Sequence, residues 1–180
     1  MQRMSRENAV EEKKTKKKKS ALHYAIEFLV KIAVTALAVF LLLRFVIAID
    51  VNHTNTSYPM IKDGDLCISF RLSKTLLKGD VIVYEKGKER KFGRIVATAK
   101  DTVDIRGEQI IVNGQGVYED AVYPTTAEGA KIKFPVTVPK DSVFVLNDYR
   151  SDASDSRTYG CISSKEVRGK VFFLMRIRGF

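Results

Sequence analysis

The 180-residue sequence predicts a mainly β domain behind one N-terminal transmembrane helix. Three observations carry that prediction. A polybasic stretch occupies the first 20 residues. An apolar run of membrane-spanning length follows it. After Asp50 the chain breaks into short alternating or β-branched runs separated by turn signals.

Residues 1–20 hold eight Lys or Arg against three Glu, a net of five positive charges, half of the chain's formal +10. Ala25 to Ile49 is almost wholly apolar, interrupted by Glu27, Lys31 and Arg44, and Ile32–Leu43 carries no charge. Roughly 20 helical residues cross the ~30 Å hydrocarbon layer. Lys31 and Arg44 flank the uncharged stretch and can snorkel to the headgroups. The positive-inside rule places residues 1–20 in the cytoplasm and residues after 50 outside. Arg44 breaks the apolar region, and no small-x-small cleavage pattern follows it, so a retained signal anchor is expected rather than a removed signal peptide. The expected organisation is a cytoplasmic polybasic tail over 1–20, an anchor over 21–49 and an extracytoplasmic β domain over 50–180. The bilayer is the first partner, its anionic lipids lying against the lysines. Nucleic acid is excluded as a partner, because the basic segment abuts a membrane span and lacks interleaved aromatics.

Strands are expected at Asp65–Phe70, Asp80–Glu85, Gly93–Thr98, Thr102–Ile105, Gln109–Val112, Lys131–Val138, Ser142–Leu146 and Gly169–Arg176. Turn signals separate them, among them Lys62-Asp63-Gly64, Lys78-Gly79, Arg106-Gly107 and Asn113-Gly114. Asn113-Gly114 after Ile110-Ile111-Val112 suits a two-residue hairpin. Ser163–Val167 reads as a short helical turn. Strands at this spacing predict a sandwich or barrel. Cys67 sits in an alternating stretch as a small core residue, and a disulfide between Cys67 and Cys161 stays open. His23 and His53 have no ligand-spaced partner, so neither a metal nor a cofactor is expected.

Three motifs carry the functional information. Residues 56–65 read Thr56-Ser57-Tyr58-Pro59-Met60-Ile61-Lys62-Asp63-Gly64-Asp65. Residues 93–101 read Gly93-Arg94-Ile95-Val96-Ala97-Thr98-Ala99-Lys100-Asp101, after Gly79-Asp80. Residues 147–157 read Asn147-Asp148-Tyr149-Arg150-Ser151-Asp152-Ala153-Ser154-Asp155-Ser156-Arg157. In this order, behind a membrane anchor, they resemble the bacterial type I signal peptidases (peptidase family S26) over roughly residues 25–178. That resemblance implies a signal peptidase I-like β-sandwich or barrel domain and no cofactor.

The family's chemistry pairs a Ser nucleophile with a Lys general base. A Ser hydroxyl is a weak nucleophile until a base takes its proton. A Lys serves as that base only when desolvation lowers its pKa. On this resemblance the nucleophile position is Thr56, the base position Gly93 and the base-orienting position Ala153, so no catalytic residues are expected. Pro59, Asp155 and Arg157 are retained, the last two as a structural ion pair near the site. Two fallback candidates remain. Ser57 needs a one-residue slip, which in extended backbone turns a side chain to the opposite face. Lys91 lies two residues before Gly93 on the same strand face, ~6.6 Å back along the chain, although neighbouring Arg90 and Lys88 mark a solvated basic edge.

The resemblance therefore implies a degenerate homologue that binds extended segments of secreted proteins, a preprotein or pilin peptide, or a partner enzyme. Similar signal peptidase-like proteins sit in Gram-positive pilus gene clusters and assist pilin polymerisation by sortase. The alternative is an atypical but active signal peptidase that cleaves exported preproteins with Thr56 as nucleophile and Lys91 as base.

Overall fold

The structure is a computed structural model that describes residues 20–73, 75–117 and 122–176. The polybasic tail lies outside the described residues except for Ser20. The chain divides into a unit ending at Leu41 and a unit beginning at Leu42.

Helix α1 spans Ala21–Leu41 and buries none of its residues. A π-helical turn, Leu42–Val46, extends the apolar stretch to 26 residues. At 1.5 Å per residue that is ~39 Å, more than the ~30 Å hydrocarbon layer. One such helix near the N-terminus fits a single-pass anchor or a signal sequence. Glu27 and Lys31, one turn apart, pair at 3.0 Å, so two charges inside the apolar stretch offset one another.

The second unit is built from strands. In chain order they are β1 (Ile47–Val51), β2 (Leu66–Phe70), β3 (Val81–Lys86), β4 (Glu89–Thr98), β5 (Thr102–Arg106) and β6 (Gln109–Val112). Then come β7 (Gln115–Gly116), β8 (Val136–Thr137), β9 (Ser142–Leu146), the helical turn α2 (Ser156–Tyr159), β10 (Ile162–Ser163) and β11 (Val167–Met175). Among the described residues a seven-stranded sheet runs β1-β2-β11-β3-β4-β9-β10 and a four-stranded one runs β7-β6-β5-β8, every pair antiparallel. The mainly β class, the single apolar helix and the packed sheets are as the sequence predicts.

Between the sheets lies one apolar layer: Val96 and Ala97 of β4, Phe144 and Leu146 of β9, Val103 of β5, Ile110 and Val112 of β6, and Val138. Fully burying one such side chain contributes about 1.5–3 kcal/mol. Strand β3 is buried on both faces. Ile82 and Tyr84 pack with Ile95, Val143, Val145 and Ile162, while Val83 packs with Ile61, Cys67 and Phe92. That two-sided burial explains the unbroken Val81-Ile82-Val83-Tyr84 run. Irregular register steps between Ile95 and Ala97 in β4, and between Val167 and Gly169 and between Val171 and Phe173 in β11, increase local twist. Cys67 and Cys161 are free thiols packed in different clusters.

Four differences from the sequence reading have physical causes. Residues 47–49, expected in the anchor, begin β1. Apolar content alone marks them as membrane-like, but Ile47-Ala48-Ile49-Asp50-Val51 alternates with period two and pairs with β2. The run Lys131–Val138 contributes only Val136–Thr137, because Pro135 offers no backbone donor to a ladder. Ser163–Val167 is a strand end and turn in place of a helical turn, closed by Glu166 accepting from the Ser163 amide at 2.9 Å. The helical turn falls instead at α2, where the Asp155 carboxylate caps the Arg157 amide.

Three Asp residues share one turn device. Asp65, Asp80 and Asp101 each accept from the amide three residues earlier, of Lys62, Leu77 and Thr98, at 2.8–2.9 Å. Each returns its own amide to that residue's carbonyl at 3.0–3.2 Å. At Asn113 and Gly114 both φ values are positive (55° and 79°), the conformation a two-residue hairpin requires.

Asp101 also receives the Asn113 amide group at 2.7 Å and the Lys78 ammonium at 3.0 Å. Burial opposes its ionisation. The bonds from Thr98, Asn113 and Lys78 overcome it and hold the carboxyl at about 2, below the ordinary 3.8. A carboxyl lowered by folding stabilises the fold above its unfolded value and loses that contribution as pH falls through its folded value. Stability should therefore drop between about pH 4 and pH 2. Asp101→Asn should reduce that loss, measured by urea unfolding across the window.

Candidate functional site

The first motif forms a loop between β1 and β2. Asn52, buried at its base, accepts the Gly64 amide at 2.8 Å on its carbonyl and donates its side chain to the carbonyls of Thr54 and Lys62. The loop is tied to the third motif where Tyr149 donates its amide to the Thr56 carbonyl at 3.0 Å. Thr56 is half-buried, and its Oγ1 lies 3.0 Å from Thr54 Oγ1. Ser57 is buried, and its Oγ donates to the Phe92 carbonyl of β4 at 3.4 Å. It points away from solvent and is spent on the scaffold. Pro59 follows Tyr58 through a cis peptide bond.

Gly93 lies in β4 opposite Ile82 of β3. A Cβ placed there would stand 2.4 Å from Val145 Cγ1, 3.3 Å from the Leu146 carbonyl oxygen and 3.4 Å from Tyr84 Cε1. Val145 and Tyr84 are fully buried, so neither can step aside cheaply. The volume that a lysine stem would need is filled by core. The Tyr84 hydroxyl has no hydrogen-bond partner among the described residues. Burial first, then the Asp155 carboxylate, push that phenol above its ordinary value.

Lys91 differs from the expected solvated edge. Its side chain is only 16% exposed. The ammonium lies over the Tyr159 ring, 5.6 Å from its centroid, and 3.4 Å from Glu89. Lys91 faces Tyr84 across the β3–β4 ladder, and α2 brings Tyr159 over the same face, so the stem packs in place of extending. Its ammonium is thereby engaged by Glu89 and the Tyr159 ring.

The third motif is organised by a buried ion pair. Asp155 and Arg157 are 0% and 1% exposed and pair at 2.8 Å. Arg157 also donates to the carbonyls of Arg150 (2.7 Å), Asp152 (2.7 Å) and Thr126 (3.2 Å). Asp155 Oδ2 accepts the Asn147 amide at the end of β9 at 3.0 Å. Both charges are saturated by the fold and hold the Asn147–Arg157 loop in place. Ala153 packs toward Gly129 of a neighbouring loop, with a methyl where the resemblance expects a hydroxyl.

Thr56 and Lys91 line one cleft of about 520 Å³ with Ile49, Asp50, Val51, His53, Thr54, Glu89, Arg90 and Phe92. Its walls are β1 and the first half of β4, strands separated by three others in the sheet. The sheet therefore curls until its edge approaches β4. The sequence places Thr56 and Lys91 as candidates but does not reveal the cleft's β1 wall, because residues 47–49 read as anchor.

A curled β sheet that follows one apolar helix, with Thr56 of the first motif and Lys91 lining one cleft and the third motif bonded to the Thr56 loop, defines a signal peptidase-like domain. The chain belongs to the signal peptidase family, peptidase S26, which it matches over residues 25–176. It is 28% identical to a protein named inactive signal peptidase IA from Staphylococcus aureus, across 81% of this chain and 88% of that one. It is 26% identical to signal peptidase I from Bacillus amyloliquefaciens, across 91% and 92%. A crystal structure of a signal peptidase I from Enterococcus faecalis shares 24% identity with a TM-score of 0.47, over 55% of this chain and 98% of that one.

Filling of the base position is testable through stability. Gly93→Ala should destabilise the fold by about 1–3 kcal/mol through overpacking. In a Val145→Ala background the same change should cost clearly less than it does alone, because the clashing Cγ1 is gone. A double-mutant cycle of urea midpoints reads both values.

Proposed function

We propose that this protein is a catalytically inactive, membrane-anchored signal peptidase I homologue that binds extended segments of secreted proteins. The observation that carries the reading is Gly93. Its base position is a packed piece of core, while the cleft beside it remains open. Losing nucleophile or base costs a comparable hydrolase on the order of 10⁶ in turnover. Here Thr56 is turned to Thr54, and no lysine stem fits at 93. A relative named inactive supports the same direction.

Binding an extended segment needs neither side chain. Among the described residues strand β1 ends the seven-stranded sheet and has one edge without a strand partner. Strand β4 pairs with β9 only from Arg94 onward, so the far edge of Glu89–Gly93 also lacks a strand partner there, although its Phe92 carbonyl takes the Ser57 hydroxyl. Main-chain pairing to such edges is a standard mode of peptide capture. The orientation in this reading places the N-terminus in the cytoplasm and the β domain outside. Pilin segments of a Gram-positive cell, presented to a sortase, are the partners it names, following the pilus-assembly members of the family.

One observation favours a second reading, an active enzyme with a displaced dyad: Lys91 is mostly buried and lines the same cleft as Thr56. A single assay separates the two. Purified full-length protein in detergent, incubated with a preprotein, should give no cleavage above buffer, and Thr56→Ala, Ser57→Ala and Lys91→Ala should change nothing. Cleavage abolished by Thr56→Ala or Lys91→Ala would establish the rebuilt dyad instead.

A further inference from the structure

An ion pair bridges the two walls of the cleft. Arg90 Nη1, at the start of β4, donates to Asp50 Oδ1 in β1. The two partners are unequal. Asp50 is 6% exposed and fixed in a strand, opposite Cys67 in the β1–β2 ladder. The Arg90 side chain is 59% exposed, on a long stem at the edge of the cleft. The thiol of Cys67 reports the buried charge: burial first, then the carboxylates of Asp65 and Asp50, push it up to about 11.

A segment that adds to either open edge passes between Asp50 and Arg90 and must part them. Arg90 then recovers full hydration. Asp50 stays buried, and a buried charge deprived of its partner is strongly destabilising. An incoming acidic side chain would meet Arg90 but would leave Asp50 uncompensated beside a second negative charge. An incoming Lys or Arg side chain would replace Arg90. Lys91 cannot compensate Asp50 at no cost, since its ammonium already serves Glu89 and the Tyr159 ring. Resting on the segment-binding reading above, we infer that the cleft selects an extended segment carrying a Lys or Arg side chain, which takes the place of Arg90 on Asp50.

The test uses full-length protein in a neutral detergent and labelled nonapeptides of alternating Thr and Val with Lys, Gln or Glu at the centre. Fluorescence anisotropy reads affinity. The Lys peptide should bind at least about tenfold tighter than the Gln peptide, and the Glu peptide most weakly. Asp50→Asn, nearly isosteric, should erase the Lys preference and bind the Gln peptide at least as tightly as the wild type does, because no buried charge is then left without its partner. Arg90→Gln removes the internal competitor from an exposed position and should strengthen Lys-peptide binding. That variant keeps the inference testable even if Asp50→Asn fails to fold. Equal binding of all three peptides would overturn the charge selection while leaving segment binding intact. Lys preference surviving Asp50→Asn, or weaker Lys-peptide binding by Arg90→Gln, would overturn the role of Asp50. No binding of any peptide to folded protein would sink the segment-binding reading together with this inference.

Discussion

Strand β4 pairs with β3 along its first half and with β9 along its second, and the two arrangements meet around Gly93, where Val145 and Tyr84 fill the space a side chain would take. Close packing is what gives this contact its authority. Interiors are as dense as organic crystals, so a carbon at 2.4 Å from Val145 Cγ1 must displace core. The same two residues belong to the cluster with Ile82, Ile95, Val143 and Ile162 that joins β3, β4, β9 and β10. A lysine at 93 therefore competes with the cohesion of the sheet. The Tyr84 hydroxyl, without a hydrogen-bond partner among the described residues, is a polar group left within that apolar filling.

Against this filled position stands a well-ordered frame. Arg157 spends its guanidinium on Asp155 and on three carbonyls from two loops, and Asp155 reaches back to the end of β9. Removing one member of such a buried pair typically costs 3–5 kcal/mol. The frame holds the third motif beside the Thr56 loop, to which Tyr149 is bonded. The third motif is thereby joined to the loop whose Thr56 lines the cleft between β1 and β4.

Much of this was legible in the chain. Period-two alternation and the turn signals Lys62-Asp63-Gly64 and Lys78-Gly79 locate strands β2 and β3 closely, β-branched alternation locates β5, and Asn113-Gly114 locates a hairpin. Local signals failed where the deciding contact was distant. Hydropathy could not separate Ile47–Ile49 from the membrane helix, since only pairing with Leu66–Phe70 distinguishes them. The basic neighbours of Lys91 implied water, while Tyr159, 68 positions later, supplies a ring that covers it. Gly93 was visible as a missing side chain. That its space is filled by Val145, on a different strand, was not. The Asp50–Arg90 bridge likewise joins residues 40 positions apart.

On the proposed function the cleft binds a segment while the space at Gly93 stays packed. Hydrogen-exchange mass spectrometry of the full-length protein, with and without an unfolded pilin or preprotein segment, reads both halves in one tube. Slower exchange confined to Ile47–Val51 and Glu89–Gly93 is expected, with the added segment recovered at its intact mass. Protection elsewhere with these two edges unchanged, or recovery of a cleaved segment, would contradict it.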